Sequence, residues 1–275
     1  MKFAISDGAS IPSCDVAIVT AWQTAEMVPA IRSQTRAVVQ IAYDYEFWMA
    51  ADSSERQRMA AAFALPDIVV ATSSAVATML RDAGREPNAT IRCGINLDVF
   101  HVLRDPAERD ACIGFVARPG SIKRCEDAIA ALARVRDSHK IRSVAVGPGR
   151  IETPPWLHVV NAPSDDVMCS FYNDQALFLL PSLYEGWGLT AAEAMACGAA
   201  VVTTRNGGVE DFARDDVNAL LVPPADPDSL AAACISLLDD GARRKRIVEA
   251  GLQTTRAMDW SCSVDALEVL LEPFG

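Results

Sequence analysis

The chain has 275 residues, enough for two modest domains or one large one. Apolar residues make up 51% and charged residues 22%, with 15 Gly and 15 Pro, a balance that excludes a disordered or fibrous protein. The formal net charge of −11 makes the surface as a whole repel nucleic acid and anionic lipid, so any anionic ligand needs a local basic patch.

The eight cysteines are scattered and form no C-x-x-C pair, and only His101, His139 and His158 are available to complete a metal set. Reduced, mostly buried thiols are expected. The N-terminus MKFAISDGAS carries no apolar signal core, and the most apolar stretch, Ala60 to Leu80, is broken by Pro66, Asp67 and Thr72. The expectation is a soluble cytoplasmic protein, at most peripheral to the inner face of a membrane.

In chain order, DVAIVTAW, RAVVQIAY and DIVVATS are β-branched runs separated by the helical stretches QTAEMVPAIRSQ and SSERQRMAAAFALP and followed by SAVATMLRDAG. Such alternation predicts parallel βαβ units. After IRCGINLDVF the polar stretch HVLRDPAERDA marks a boundary, placed between residues 105 and 106. The alternation then resumes with strand CIGFVA and helix EDAIAALARVRDS, strand SVAVG, a helix from Ser164 and strand ALFLLP. Helix LTAAEAMAC, closed by Gly198, and strands AAVVTT and ALLV complete the set. A further helix has Asp226 as cap, Pro227 in its first turn and a stripe of Leu230, Ala233, Cys234, Leu237 and Leu238. The predicted class is α/β with doubly wound parallel sheets, over 1–105 and 106–258. A closing helix over 259–275 is expected to pack back on the first domain.

The informative segment is PSLYEGWGLTAAEAMACGAAVVTTRNGGVEDF, residues 181–212. Strand ALFLL runs into a loop with Glu185, Gly186 and Gly188, and a helix begins near Leu189 with Glu193 in its first turns. Open parallel sheets bind ligands at the carboxyl ends of their strands, and this loop is such an end. Glycines let the backbone approach a ligand, and free amides at a helix start suit a phosphate. Glu185 and Glu193 then flank that phosphate, each able to accept paired hydroxyl hydrogen bonds from a sugar or a ribose diol. A second strand, CIGFVA, ends at Arg118, with Lys123 and Arg124 close behind, a basic cluster in an acidic chain.

These residues resemble the signature of retaining GT-B glycosyltransferases of family 4, where two glutamates separated by seven residues lie in an E-G-F-G-L, E-A-M-A-C-G run; Trp187 stands here for the usual Phe. The resemblance implies two Rossmann-like domains, a nucleoside-diphosphate sugar as donor substrate, no cofactor and no metal. Arg118 and Lys123 would stabilise the leaving diphosphate and Glu185 would position the donor sugar, these three forming the catalytic set. Gly186, Trp187, Gly188, Leu189, Thr190, Glu193 and Gly147 would line the donor site, with Glu193 on the ribose. DVAIVTAWQTAEMV and VVQIAYDYEFW are loosely similar to a bacterial rhamnosyltransferase branch, which tilts the donor toward dTDP-rhamnose and the setting toward polysaccharide biosynthesis.

Other motifs weigh less. Gly147, Pro148, Gly149 and Arg150 lack the third glycine of a dinucleotide fingerprint and fit a loop near the nucleotide base. Asp44, Tyr45 and Glu46 resemble an acidic metal motif but lie far in sequence from the phosphate elements. Arg243, Arg244, Lys245 and Arg246 read as a solvated helix face. By resemblance the first domain is short, with about three βα units, and no residue matches the histidine that approaches the donor sugar in relatives. The reading is a hexosyltransferase acting on a saccharide or lipid-linked acceptor, with room for a homo-oligomer or partner chain. The alternative is a non-catalytic nucleotide-sugar-binding subunit or fragment that depends on a partner for the acceptor half.

Overall fold

A computed structural model describes residues 11–43, 45–147, 152–161 and 164–274. The described residues form two compact units, one of residues up to Cys93 together with Ser261 onward, the other Gly94–Trp260.

In the first unit, β1 (Cys14–Val19), β2 (Thr35–Ala42), β3 (Ile68–Ala71) and β4 (Ala89–Thr90) make a four-stranded, all-parallel sheet in sequential order. The stretch expected as one helix after β1 is two single turns, α1 (Trp22–Ala25) and α2 (Val28–Ile31). Pro29 has no N–H to continue a helical ladder, so it sits in the first turn of α2 instead. Trp22, expected at the end of a strand, opens α1 and is buried. Helices α3 (Glu46–Met49), α4 (Ser53–Phe63) and α5 (Ser74–Asp82) follow, the last two capped by Asp52 and Ser73.

The second unit has a six-stranded parallel sheet. Its strands are β5 (Cys112–Val116), β6 (Arg142–Gly147), β7 (His158–Asn161), β8 (Leu177–Leu180), β9 (Ala200–Thr204) and β10 (Leu220–Val222), in the spatial order β10-β9-β8-β5-β6-β7. The short strands β4 and β7 were not read from the sequence. Helices α6 (Cys125–Ser138), α7 (Asp165–Asp174), α8 (Leu189–Ala196), α9 (Pro227–Asp239) and α10 (Gly241–Thr255) provide the crossovers and cover. Ile113, Phe115, Leu132, Leu177, Leu179, Val202, Leu230 and Leu237 are among the buried residues that join sheet and helices in one core. The class expected from sequence, α/β with two parallel sheets, is the class observed.

The chain winds outward from β5 in one direction through β6 and β7, and in the other from β8 through β9 to β10. The order reverses between β5 and β8, which opens a crevice at their carboxyl ends.

The boundary between units lies at Cys93/Gly94, not at 105/106. Residues 94–105 are bound into the second unit: Leu103 N donates to Asn173 Oδ1 at 2.7 Å, Asn173 Nδ2 to His101 O at 2.9 Å, and Arg104 pairs with Asp174 at 3.3 Å. Likewise Asp259 and Trp260, expected with the last helix, group with the second unit, where Trp260 N donates to Ile95 O. Helix α11 (Trp260–Leu271) opens on Trp260, and from Ser261 onward it belongs to the first unit, in which Leu270, Leu271 and Phe274 pack on Val39, Ile68 and Val70. All eight cysteines are free thiols, and no described helix is long and apolar enough to cross a membrane.

Candidate functional site

A cleft of about 150 Å³ lies at the switch point of the six-stranded sheet, lined by Val116 and Arg118 from the end of β5, Lys123, Leu180, Pro181, Ser182 and Glu185 from the end of β8, and Leu189, Thr190 and Glu193 from α8. Its position follows from topology, because parallel strands aim their carboxyl ends, and the loops that leave them, to one side.

Glu185 stands on the β8–α8 loop. The loop is tied to the end of β9, where Glu185 N donates to Asn206 O at 3.0 Å and Glu185 pairs with Gly207 in an isolated bridge. Its carboxylate Oε1 accepts from Lys123 Nζ at 2.9 Å and from Ser182 Oγ at 2.6 Å. The two charged groups are 14% and 25% exposed, so the pair is partly shielded from solvent while remaining on the cleft wall. Ser182 was not singled out in the sequence; its spacing of three residues from Glu185 on one loop was the signal available.

Helix α8 begins at Gly188, whose φ of 92° is the left-handed conformation that side chains disfavour. No side chain caps this start and its first turn holds no acidic residue, so the helix presents its positive end to the cleft without an internal anion. Arg118 is exposed and forms no ion pair among the described residues. Arg124, grouped with it in the sequence, is turned away: its guanidinium grips Asp127 with two bonds of 2.8 Å and also meets Glu126.

Glu193 lies one helical turn into α8, its Oε2 accepting from the Tyr172 hydroxyl of α7 at 2.8 Å. Burial lifts its carboxyl to about pH 7, assisted by Asp165 and opposed by the Tyr172 hydrogen bond and by Arg118. The Tyr172 phenol is pushed well above its usual value, first by burial and then by the Glu193 charge, and it donates throughout the neutral range.

The structure therefore brings together Arg118, Lys123, Glu185, Leu189, Thr190 and Glu193. Gly147, Gly186, Trp187 and Gly188 are not among the cleft-lining residues. Trp187 is 4% exposed and its ring packs on Phe212 at 5.2 Å between centroids, a core position filled by an aromatic residue whose indole nitrogen is left without a partner among the described residues. Gly147 ends β6 against β5: a Cβ there would lie 1.9 Å from Ala117 O, so close strand packing accounts for the glycine. Pro148, Gly149, Arg150 and Asp44 lie outside the described residues. No cluster of three or more His, Cys, Asp or Glu able to hold a metal occurs among the described residues. In the basic run, Arg243 and Arg246 both pair with Asp216, at 2.8 and 3.1 Å, Arg244 donates to Leu237 O, and Lys245 reaches Glu249 at 3.8 Å.

Residues 110–240, which contain the whole cleft, match the model of a family described as Glycosyl transferases group 1. A D-inositol 3-phosphate glycosyltransferase of Catenulispora acidiphila is 30% identical over 182 residues, covering 66% of this chain and 39% of that protein. The matches take in less than half the length of the curated relatives first in similarity. The fold is similar to that of sucrose-phosphate synthase from Thermosynechococcus elongatus, with a TM-score of 0.83 and 21% identity over 94% of this chain and 73% of that one. It is also similar to Anabaena HepE in complex with UDP-glucose, with a TM-score of 0.82 and 17% identity over 94% and 79%.

Proposed function

We propose that this chain is a glycosyltransferase that moves a hexose from a nucleoside-diphosphate sugar to a saccharide or lipid-linked hydroxyl, with retention at the anomeric carbon and without a metal ion. The observation that carries the reading is a single cleft, at the switch point, holding two carboxylates, two cations and an uncapped helix start within the segment that matches the family. The reaction class is supported by the name of the relative, and the donor class by the UDP-glucose bound to a protein of similar fold.

In this reading the anomeric C1–O bond breaks, the diphosphate departs, and the acceptor oxygen bonds to C1 while its proton passes to the departing phosphate. Negative charge grows on the leaving oxygen. Arg118, Lys123 and the amides of Leu189 and Thr190 take it up, which is electrostatic stabilisation by groups already in place. Lys123 contacts Glu185 at 2.9 Å, so the cation that meets phosphate adjoins the carboxylate that orients the sugar. Glu193 takes the ribose hydroxyls. The similarity of the first-unit segments to a rhamnosyltransferase branch favours dTDP-rhamnose among the donors. Contact with lipid, where the acceptor carries it, is peripheral.

The test is calorimetry with UDP-glucose, GDP-mannose and dTDP-rhamnose in EDTA, then with the matching nucleoside diphosphate. Binding to at least one donor in chelator is expected. Glu193→Ala should weaken the bare diphosphate about tenfold or more, whereas Glu185→Ala should hold it within about twofold and impair transfer. No binding by any donor rejects the reading. Binding lost in EDTA and restored by magnesium or manganese rejects metal independence, and the reverse ranking of the two variants exchanges the sugar and ribose ends.

A further inference from the structure

Tyr172 belongs to no motif discussed above, yet it is fully buried and has its hydroxyl on a cleft-lining carboxylate. Its ring is held by Phe171 and Phe178, each 5.4 Å away between centroids, and by Phe100 at 5.9 Å, the last two edge-on. A ring packed on three aromatic neighbours has little rotamer freedom, so the hydroxyl position is set before any ligand arrives. That hydroxyl meets Glu193 Oε2 at 2.8 Å and leaves the other oxygen of a cleft-lining carboxylate for a ligand.

We infer that Tyr172 is a positioning residue for the donor site: it holds the Glu193 carboxylate in one orientation and in its ionised form, so that the free oxygen accepts the hydroxyl hydrogens of the nucleotide ribose. This rests on the donor-binding reading above. A protonated Glu193 that still accepts from Tyr172 on Oε2 carries its own proton on Oε1, and then offers the ribose a donor where an acceptor is needed. Burial drives the carboxyl toward that neutral form, so a hydrogen bond that favours the anion decides how much of the site is competent near neutrality. The charged and titratable groups around Glu193 are Tyr172 and Asp165 from α7, Arg118 from the end of β5, and Cys197 at the end of α8. Of these, Tyr172 and Arg118 favour the anion, and Tyr172 is the one in direct contact.

The experiment measures the affinity of whichever of UDP-glucose, GDP-mannose and dTDP-rhamnose binds the wild type tightest, from pH 6 to 8.5, for wild type, Tyr172→Phe and Glu193→Gln. The wild-type affinity is expected to rise through about pH 7. In Tyr172→Phe the rise should move up by about one pH unit, giving roughly fivefold weaker binding at pH 7 that largely recovers at pH 8.5. Glu193→Gln should be weak and flat across the range. A Tyr172→Phe curve that superimposes on the wild type, or lies below it by a constant factor, overturns the role of Tyr172 while leaving the donor reading standing. Absence of binding to the wild type by all three probes overturns both. Carbon-13 NMR of the Glu193 carboxyl in the ligand-free protein reads the same coupling directly, and an unmoved titration in Tyr172→Phe also overturns it.

Discussion

Two arginines flank β5, Arg109 before it and Arg118 after it, and their fates are opposite. Arg109 is 7% exposed and its guanidinium donates to Gln175 O at 3.1 Å, Tyr172 O at 3.4 Å, Arg104 O at 3.1 Å, Asn173 Oδ1 at 3.2 Å and Cys197 O at 2.6 Å. Those carbonyls include the last turns of α7 and α8, the negative ends of both helices. Burial lowers its ionisation to about 10, which leaves it charged at neutral pH. Arg118, at the other end of the strand, is exposed, lines the cleft and has no ion pair among the described residues. Helix α8 thus has a built-in cation at its carboxyl end and a positive, uncapped amino end facing the cleft. The difference teaches that residue type alone does not separate scaffold from site; the end of the strand and the state of the partners do.

The largest expected effect breaks the scaffold side. Arg109→Met strands several buried acceptors at once and should destabilise the protein by about 3–5 kcal/mol, as removal of a buried, hydrogen-bonded charge does. Thermal and denaturant unfolding of the ligand-free protein read this. A loss under about 1 kcal/mol would mean that the carbonyls find other donors.

Arg118→Ala should do the reverse. Nucleoside-diphosphate affinity is expected to fall about tenfold or more by calorimetry, the worth of a charge-assisted hydrogen bond, while the unfolding midpoint stays within about 1 °C. A variant that loses stability and keeps affinity would make the two arginines alike.

A smaller effect concerns the carboxylate that Arg118 influences. Glu193 titrates near 7 in the folded chain because of burial, against about 4.3 for a free glutamate. The folded state therefore binds more protons between those values, and stability falls as pH rises through that window. In the ligand-free protein the wild type should lose about 3 kcal/mol relative to Glu193→Gln between pH 4.5 and 7.5, read by denaturant unfolding at fixed salt. A difference that does not change with pH would place the carboxyl in ordinary solvent and remove the basis for a pH-dependent donor site.

The cleft was legible at the level of loops. Glu185, Gly188 and Glu193 stand in one strand–loop–helix run, and such a run carries its own geometry: the αL turn at Gly188, the helix start, and carboxylates on either side of it. Arg118 and Lys123 were equally readable as charges just beyond a strand. Arg124, adjacent in sequence, was not separable from them, because its left-handed backbone at φ 48° and the buried Asp127 that captures it arise only when α6 closes on the sheet. Trp187 was misplaced for a related reason. A loop beside a phosphate site and a loop over a core have similar composition, and contact with Phe212, 25 residues on, decides which it is.

The alternation of β-branched runs and helical stretches by itself determined that the chain forms parallel α/β units and that loops such as the one bearing Glu185 leave strand carboxyl ends, since periodicity and capping are local properties. Only the tertiary structure decided that residues 94–105 join the second unit, that β5 and β8 are neighbours, and that Tyr172 meets Glu193 and Arg109 closes two helix ends. Each of these depends on burial and on partners tens of residues away. A buried hydroxyl or guanidinium takes its role from the polar groups it must satisfy there, which no run of neighbouring residues records.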